Sequence, residues 1–184
     1  MAHITFDETA SKSRLPTWRV ACERYPGQVT LEGTPYLGIF ESWLKGVAQP
    51  LDGFTPTSPP TWEEFATAKH YRTNKGVVSV IGFTIDLFDN LITDAEELRR
   101  IYEERCRATR VVEVTQGNRS VAWHLAVDDS PDAHVWFSRF WHPQEVVEDE
   151  TSVKISFQPS LLAQLRHWFS LKPWSITIYA PQLA

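Results

Sequence analysis

The run from Gly76 to Phe88 constrains the fold more than any other part of this chain. Val77, Ser79, Ile81, Phe83, Ile85 and Leu87 alternate onto one face of a strand, and Val78 and Val80 add apolar side chains to the other. A strand with one wet face alternates cleanly, whereas one that is apolar on both faces has to be covered on both. The spacing therefore predicts a central, largely buried strand over 76–88. Such a strand demands flanking strands and a covering layer.

The rest of the chain offers both. Residues 7–16 are polar and read as a loosely held lead-in. Val29-Thr30-Leu31 reads as a short strand that stops at a Glu32-Gly33-Thr34-Pro35 turn. Tyr36, Leu37, Phe40, Trp43 and Leu44 recur at helical spacing, with Gly46 as a stop. Gln49 to Pro60 holds Pro50, Pro56, Pro59, Pro60 and Gly53, which predicts a surface loop without regular structure. Thr61-Trp62-Glu63-Glu64 and Thr93-Asp94-Ala95-Glu96 each carry a capping-box pattern, with Thr93 as the second cap. The second helix places Leu98, Ile101, Tyr102 and Cys106 on one face.

Beyond it the period becomes two. Val111, Val112 and Val114 form a strand, Gln116-Gly117-Asn118 a tight turn, and Val121, Trp123, Leu125 and Val127 a returning strand with His124 on its other face. Residues 134–141 and 152–157 read as two strands joined by an acidic connection. Pro159-Ser160 opens a helix with Leu161, Leu162, Leu165, Trp168 and Phe169 on one face. Lys172-Pro173 ends that helix, and Trp174 to Tyr179 is a last strand. The expectation is a single α+β domain over 1–184, a mainly antiparallel sheet with helices packed against it, and one proline-rich loop near 49–60.

Charge and composition narrow the function classes. A pI near 5.7 argues against a dedicated nucleic-acid binder. Cys22 and Cys106 stand far apart, which reads as two reduced thiols rather than a disulfide framework. The N-terminal residues show no basic stretch followed by an apolar one, and the longest apolar run is too short to span a bilayer. The expectation is a cytoplasmic protein with no membrane partner. There is no Gly-x-Ser-x-Gly elbow, no Gly-x-Gly-x-x-Gly and no phosphate loop. Arg99, Arg100, Arg105, Arg107 and Arg110 interleave with Glu96, Glu97, Glu103 and Glu104, so that helix reads as a salt-bridged solvent face.

The strongest functional signal lies between Trp123 and Glu150. This stretch holds Trp123, Trp136, Trp141, His124, His134 and His142. From Asp128 to Glu150 it carries seven carboxylates (Asp128, Asp129, Asp132, Glu145, Glu148, Asp149, Glu150) and one base, Arg139. That is a local charge of −6, against −5 for the whole chain. Large aromatics beside one sign of charge suit a basic protein partner. The carboxylates steer the approach, and Trp136 and Trp141 anchor it. The plainer reading is that the acids keep a hairpin soluble and discourage edge pairing. An enzymatic alternative uses His124, His134 and Asp128 or Asp132 as metal ligands or as an acid/base pair. Their spacing matches no metal motif, so no metal and no cofactor are expected.

Two stretches resemble immunity proteins that protect bacteria from contact-delivered toxins. One is Gly82-Phe83-Thr84-Ile85-Asp86-Leu87-Phe88-Asp89-Asn90. The other is Leu161-Leu162-Ala163-Gln164-Leu165-Arg166-His167-Trp168-Phe169, leading to Pro173-Trp174-Ser175-Ile176-Thr177-Ile178. The resemblance implies an acidic, cytoplasmic, non-enzymatic inhibitor that occludes a toxin's active site. A weaker likeness, Arg99–Thr109 followed by 111–157, is to the winged-helix domain of plasmid replication initiators.

Overall fold

The computed structural model describes residues 1–12, 15–35, 39–44, 46–52, 60–73, 76–84, 90–105, 108–127, 131–166 and 171–183. The strands, in chain order, are β1 (His3–Phe6), β2 (Thr17–Ala21), β3 (Val29–Thr34), β4 (Gln49–Pro50), β5 (Lys69–Thr73), β6 (Gly76–Val80), β7 (Phe83–Thr84), β8 (Ala108–Gln116), β9 (Arg119–Val127), β10 (Ala133–Ser138), β11 (Trp141–Glu148), β12 (Ser152–Pro159), β13 (Trp174–Tyr179) and β14 (Gln182–Leu183). The helices are α1 (Glu8–Ser11), α2 (Ile39–Leu44), α3 (Trp62–Thr67), α4 (Ala95–Arg105) and α5 (Leu161–Arg166). The pairing is mostly antiparallel. The chain forms two compact units: Met1–Glu41 with Glu113–Val121 and Pro131–Ala180, and Ser42–Val112 with Ala122–Ser130 and Pro181–Ala184.

In the first unit β1, β2, β3 and β10 make one sheet. Its one parallel pair joins β3 to β10, with Val29 opposite Ala133 and Leu31 opposite Val135. Val29, Leu31, Val135 and Phe137 fall on one face and are buried. Thr30, Glu32, His134 and Trp136 take the other, as the two-residue period requires. A second sheet runs β11, β12, β13 and on to β8. On β12 the buried residues alternate as Val153, Ile155 and Phe157, and on β13 as Trp174, Ile176 and Ile178. Phe137 of the first sheet meets Phe157 of the second at 5.0 Å between ring centroids, so the two apolar faces pack against each other. Phe157 stacks flat on Trp174 at 4.1 Å, and Trp141 meets that indole edge-on at 5.7 Å.

In the second unit Phe65, Ile81, Ile92, Leu98 and Ile101 form a core, flanked by Trp62, Ala68, Val77 and Tyr102. The expected α4 face is thus the packed one, except that Cys106 lies outside the described residues. Thr61 caps α3 with a complete capping box. Its hydroxyl accepts from Glu64 N–H, and the Glu64 carboxylate accepts from Thr61 N–H. His70 is fully buried beside this helix. The Phe65 carbonyl, an acceptor only, lies 2.7 Å from Nε2, so Nε2 carries the proton and Nδ1 accepts from the Ser79 hydroxyl at 2.9 Å. On α4, Arg99 pairs with Glu103 at 2.8 Å, one turn away, as a salt-bridged face requires; Arg110, read as part of the same solvent face, lies instead on β8 and is 1% exposed.

Several expectations fail locally. The 76–88 run is not one central strand. Among the described residues β6 pairs with β5 alone in a two-stranded sheet, and β7 pairs with β4. Gly82 breaks the run with φ +87°, a left-handed conformation open to glycine. Ile81 is nevertheless 2% exposed, because Phe65 on α3 and Leu98 and Ile101 on α4 cluster with it where flanking strands were expected. Residues 85–88 lie outside the described set. Pro50 sits in β4, a two-residue pairing that a proline tolerates at its edge; residues 53–59 of the proline-rich segment are not described.

The 7–16 lead-in contains α1, capped by the Asp7 carboxylate, which accepts from Ala10 N–H at 2.9 Å. β3 does not stop at Leu31 but runs through Glu32 to Thr34. Asp94, not Thr93, caps α4, accepting from Glu96 and Glu97 N–H at 2.8 and 3.2 Å. The expected 134–141 strand ends at Ser138. α5 turns Leu161, Leu162 and Leu165 outward and buries Ala163.

Candidate functional site

The acidic stretch is not a connection. Trp141 to Glu148 is strand β11, paired along its length with β12, and only residues 149–151 make the turn. The register slips between Pro143 and Glu145, where Pro143 has no N–H to give the ladder. Trp141, expected with Trp136 as part of the partner-binding face, is 2% exposed and belongs to the core through Trp174. Trp is large enough that a strand residue facing the opposite sheet is drawn inside.

The carboxylates divide into those that hold structure and those that face water. Asp149 organises the β11–β12 turn. Its Oδ1 accepts from Thr151 N–H at 2.8 Å and Ser152 N–H at 2.6 Å, and its Oδ2 from the Ser152 hydroxyl at 2.8 Å. These bonds, the Thr151 amide first, hold its carboxyl below the usual aspartate value. Glu148 accepts from Glu23 N–H with both oxygens, at 2.9 and 2.8 Å. Beside it, burial first and the Glu148 charge second push the Cys22 thiol up to about 11, so the thiol stays protonated at neutral pH.

Glu148 thereby clasps one end of the 22–28 loop. The other end is clasped from the entry to β10. Asp132 Oδ1 accepts from Gln28 N–H at 2.7 Å, and the Tyr25 hydroxyl donates to the Pro131 carbonyl at 3.3 Å. Gly27 packs so closely that an added Cβ would stand 2.2 Å from that carbonyl oxygen. Two carboxylates distant in sequence, Asp132 and Glu148, thus meet at one loop. Glu145 and Glu150 are exposed, and Glu23, the loop's own acid, is exposed too.

Trp136 lies elsewhere on this unit, on the outer face of β10. It is partly buried and stacks on His134 at 4.4 Å with 19° between planes. His134 donates from Nε2 to Glu32 Oε2 at 2.9 Å, and Glu32 is only 3% exposed. His142 sits on β11 and meets the edge of Trp18 at 6.3 Å. His134 and His142 therefore sit on different sheets and have different partners. His124 lies on β9, but its side chain is outside the description, as are Asp128 and Asp129. Among the described residues no group of three or more His, Cys, Asp or Glu side chains is arranged to hold a metal ion.

Reading the sequence missed Glu32 and the 22–28 loop. The signal for Glu32 was present: Thr30, Glu32 and Thr34 continue the polar alternation of β3. The Glu-Gly-Thr-Pro string looked like a turn and hid it. No protein-family model, no curated protein and no solved structure matches this chain.

Proposed function

We propose that this chain is an α+β, cytoplasmic, non-enzymatic binding protein of the immunity type, which neutralises a basic toxin domain by covering its active site. The observation that carries the reading is the clasped 22–28 loop. Asp132 and Glu148 fix it from two sides, and Glu145, Asp149 and Glu150 add charge on β11 and its turn. A fixed loop in an acidic setting binds without paying much ordering entropy, and its charge raises the encounter rate with a cation-rich surface. Trp136, partly exposed on β10, remains available as an aromatic contact, whereas Trp141 does not.

The test uses a basic domain encoded beside this gene as the partner. Association rates are measured at low and high salt for the wild type and for Glu145→Gln/Glu150→Gln, two exposed acids with no structural duty described above. The variant is expected to associate more slowly and with a flatter salt dependence. An unchanged rate and an unchanged salt dependence would place the docking face elsewhere.

A further inference from the structure

We propose that the hollow between the β8–β9 turn and the segment leading into β13 binds a small phosphate-bearing molecule, its phosphate held between Arg119 and Lys172. This goes beyond the toxin-binding reading and uses none of its residues. Three observations carry it.

The first is shape. Gln116, Gly117, Asn118, Arg119 and Lys172 line an open hollow of about 470 Å³. Small-molecule sites are concave and occupy ~300–1,000 Å³, whereas a docking face for a whole protein is broad. The hollow is preformed. β8 and β13 are neighbours in one sheet, so the end of β8 and the entry to β13 are held side by side. The Gln116 side-chain amide donates to the Lys172 carbonyl at 3.0 Å and ties the two walls directly.

The second is charge. The hollow has a cation from each wall and, among the described residues that line it, no acid. Lys172 is exposed and enters no ion pair among the described residues. Glu113, the acid of β8, is turned away. The Thr115 and Ser120 hydroxyls meet across the hairpin at 3.4 Å, which puts those two residues on one face. Glu113 shares that face, accepting from the Ser120 hydroxyl and from the Tyr179 hydroxyl at 3.1 Å. Gln116 and Arg119, each one position further toward the turn, take the opposite face. The cations therefore share the hollow with amides and not with the strand's carboxylate.

The third is donor chemistry. The Arg119 guanidinium is a planar fork that can bind two oxygens of a phosphate at once. The Lys172 ammonium brings three donors, and the Asn118 amide adds neutral ones. Donors arriving from separate walls suit a tetrahedral oxyanion, which accepts from several directions, better than a planar carboxylate. The phosphate fills part of the hollow, and the open remainder receives the molecule that carries it.

The experiment titrates the isotope-labelled full chain with pyrophosphate, and separately with glycerol phosphate, at constant ionic strength. The amide shifts of Gly117, Asn118 and Arg119 are followed, together with the melting temperature. Saturable shifts are expected, with a rise in melting temperature at saturation. Arg119→Gln and Lys172→Gln are each expected to weaken binding on the order of tenfold. Lys172→Arg, which keeps the charge, is expected to retain it. Lys154→Gln removes an exposed cation of β12 that does not line the hollow and is expected to change nothing. Melting of each variant without ligand separates lost binding from lost fold, and Lys172→Arg against Lys172→Gln decides the matter if Arg119→Gln does not fold. Absence of a saturable shift with either phosphate, or equal weakening by Lys154→Gln, overturns the proposal. So does a single-stranded oligonucleotide that binds and is not displaced by excess pyrophosphate, which would assign the face to nucleic acid.

Discussion

The Nε2 proton of His134 on β10 points at the buried Glu32 carboxylate on β3, 2.9 Å away across two parallel strands. The contact closes over a hundred residues of chain, and it compensates a carboxylate taken out of water on the outer face of the sheet. A buried acid is costly unless hydrogen-bonded.

Glu32→Ala should therefore leave the His134 donor without this acceptor and cost about 1–3 kcal/mol, while Glu32→Gln, which keeps an acceptor oxygen, should cost less. Urea unfolding at neutral pH measures both. Equal losses for the two variants would mean that the hydrogen bond is not what Glu32 contributes.

The two tryptophans of the acidic stretch should behave oppositely. Trp141→Phe or Trp141→Ala empties a site between the sheets, and the alanine variant should lose about 3–5 kcal/mol. Trp136→Ala removes a partly exposed ring stacked on His134 and should lose much less stability. If the toxin-binding reading holds, Trp136→Ala should speed dissociation from the partner instead. Denaturation and dissociation kinetics, run in parallel, separate the two roles; a Trp141→Ala variant as stable as the wild type would contradict its placement in the core.

Gly27→Ala should be poorly tolerated although the residue carries no side chain to lose. The new Cβ would meet the Pro131 carbonyl oxygen at 2.2 Å, and backbone cannot swing aside as a side-chain tip can. The expected cost is about 1–3 kcal/mol, with the Tyr25 and Gln28 contacts of the loop displaced. Chemical denaturation, together with amide chemical shifts of residues 22–28, reports both effects.

His70 sets an acid limit on the second unit. Burial holds its ring below the ordinary imidazole value of 6.5, with the bond to the Phe65 carbonyl opposing the shift. The unfolded chain therefore takes the proton first. The contribution of His70 to stability is complete above that ordinary value and is lost as pH falls from it through the lower folded value. The stability difference between wild type and His70→Gln should shrink from neutral to mildly acid pH. A difference that stays constant over this range would mean that the ring is not held neutral.

How far the sequence could be read depended on the distance over which its information acts. The α3 capping box, the Gln116-Gly117-Asn118 turn, the α4 core face and the strand from Trp174 to Tyr179 are local patterns, and all are present, although that strand is followed by the short β14 and is not the last. The burial of Ile81 was also legible, but not its cause. Alternation shows that a strand is covered without showing whether strands or helices cover it. The parallel pairing of β3 with β10 left no local trace. Without it, Glu32 looked like a turn residue, and the β10–β11 stretch looked like one strand when its two halves join different sheets. The acids of the candidate site were visible as a group, but their split into loop clasps and exposed charges depends on the backbone amides of Glu23, Gln28, Thr151 and Ser152.

The β3–β10 pairing also imposes an order on biosynthesis. As the chain leaves the ribosome, β1, β2 and β3 can form an antiparallel meander early, yet the open edge of β3 waits for Ala133 to Ser138 to be translated. Until then a row of unpaired amides and the Val29–Leu31 surface stay available to any neighbouring strand, including one from another nascent copy. Productive folding of the first sheet is therefore a post-translational or late co-translational event, and truncation before β10 should yield a chain that aggregates through β3.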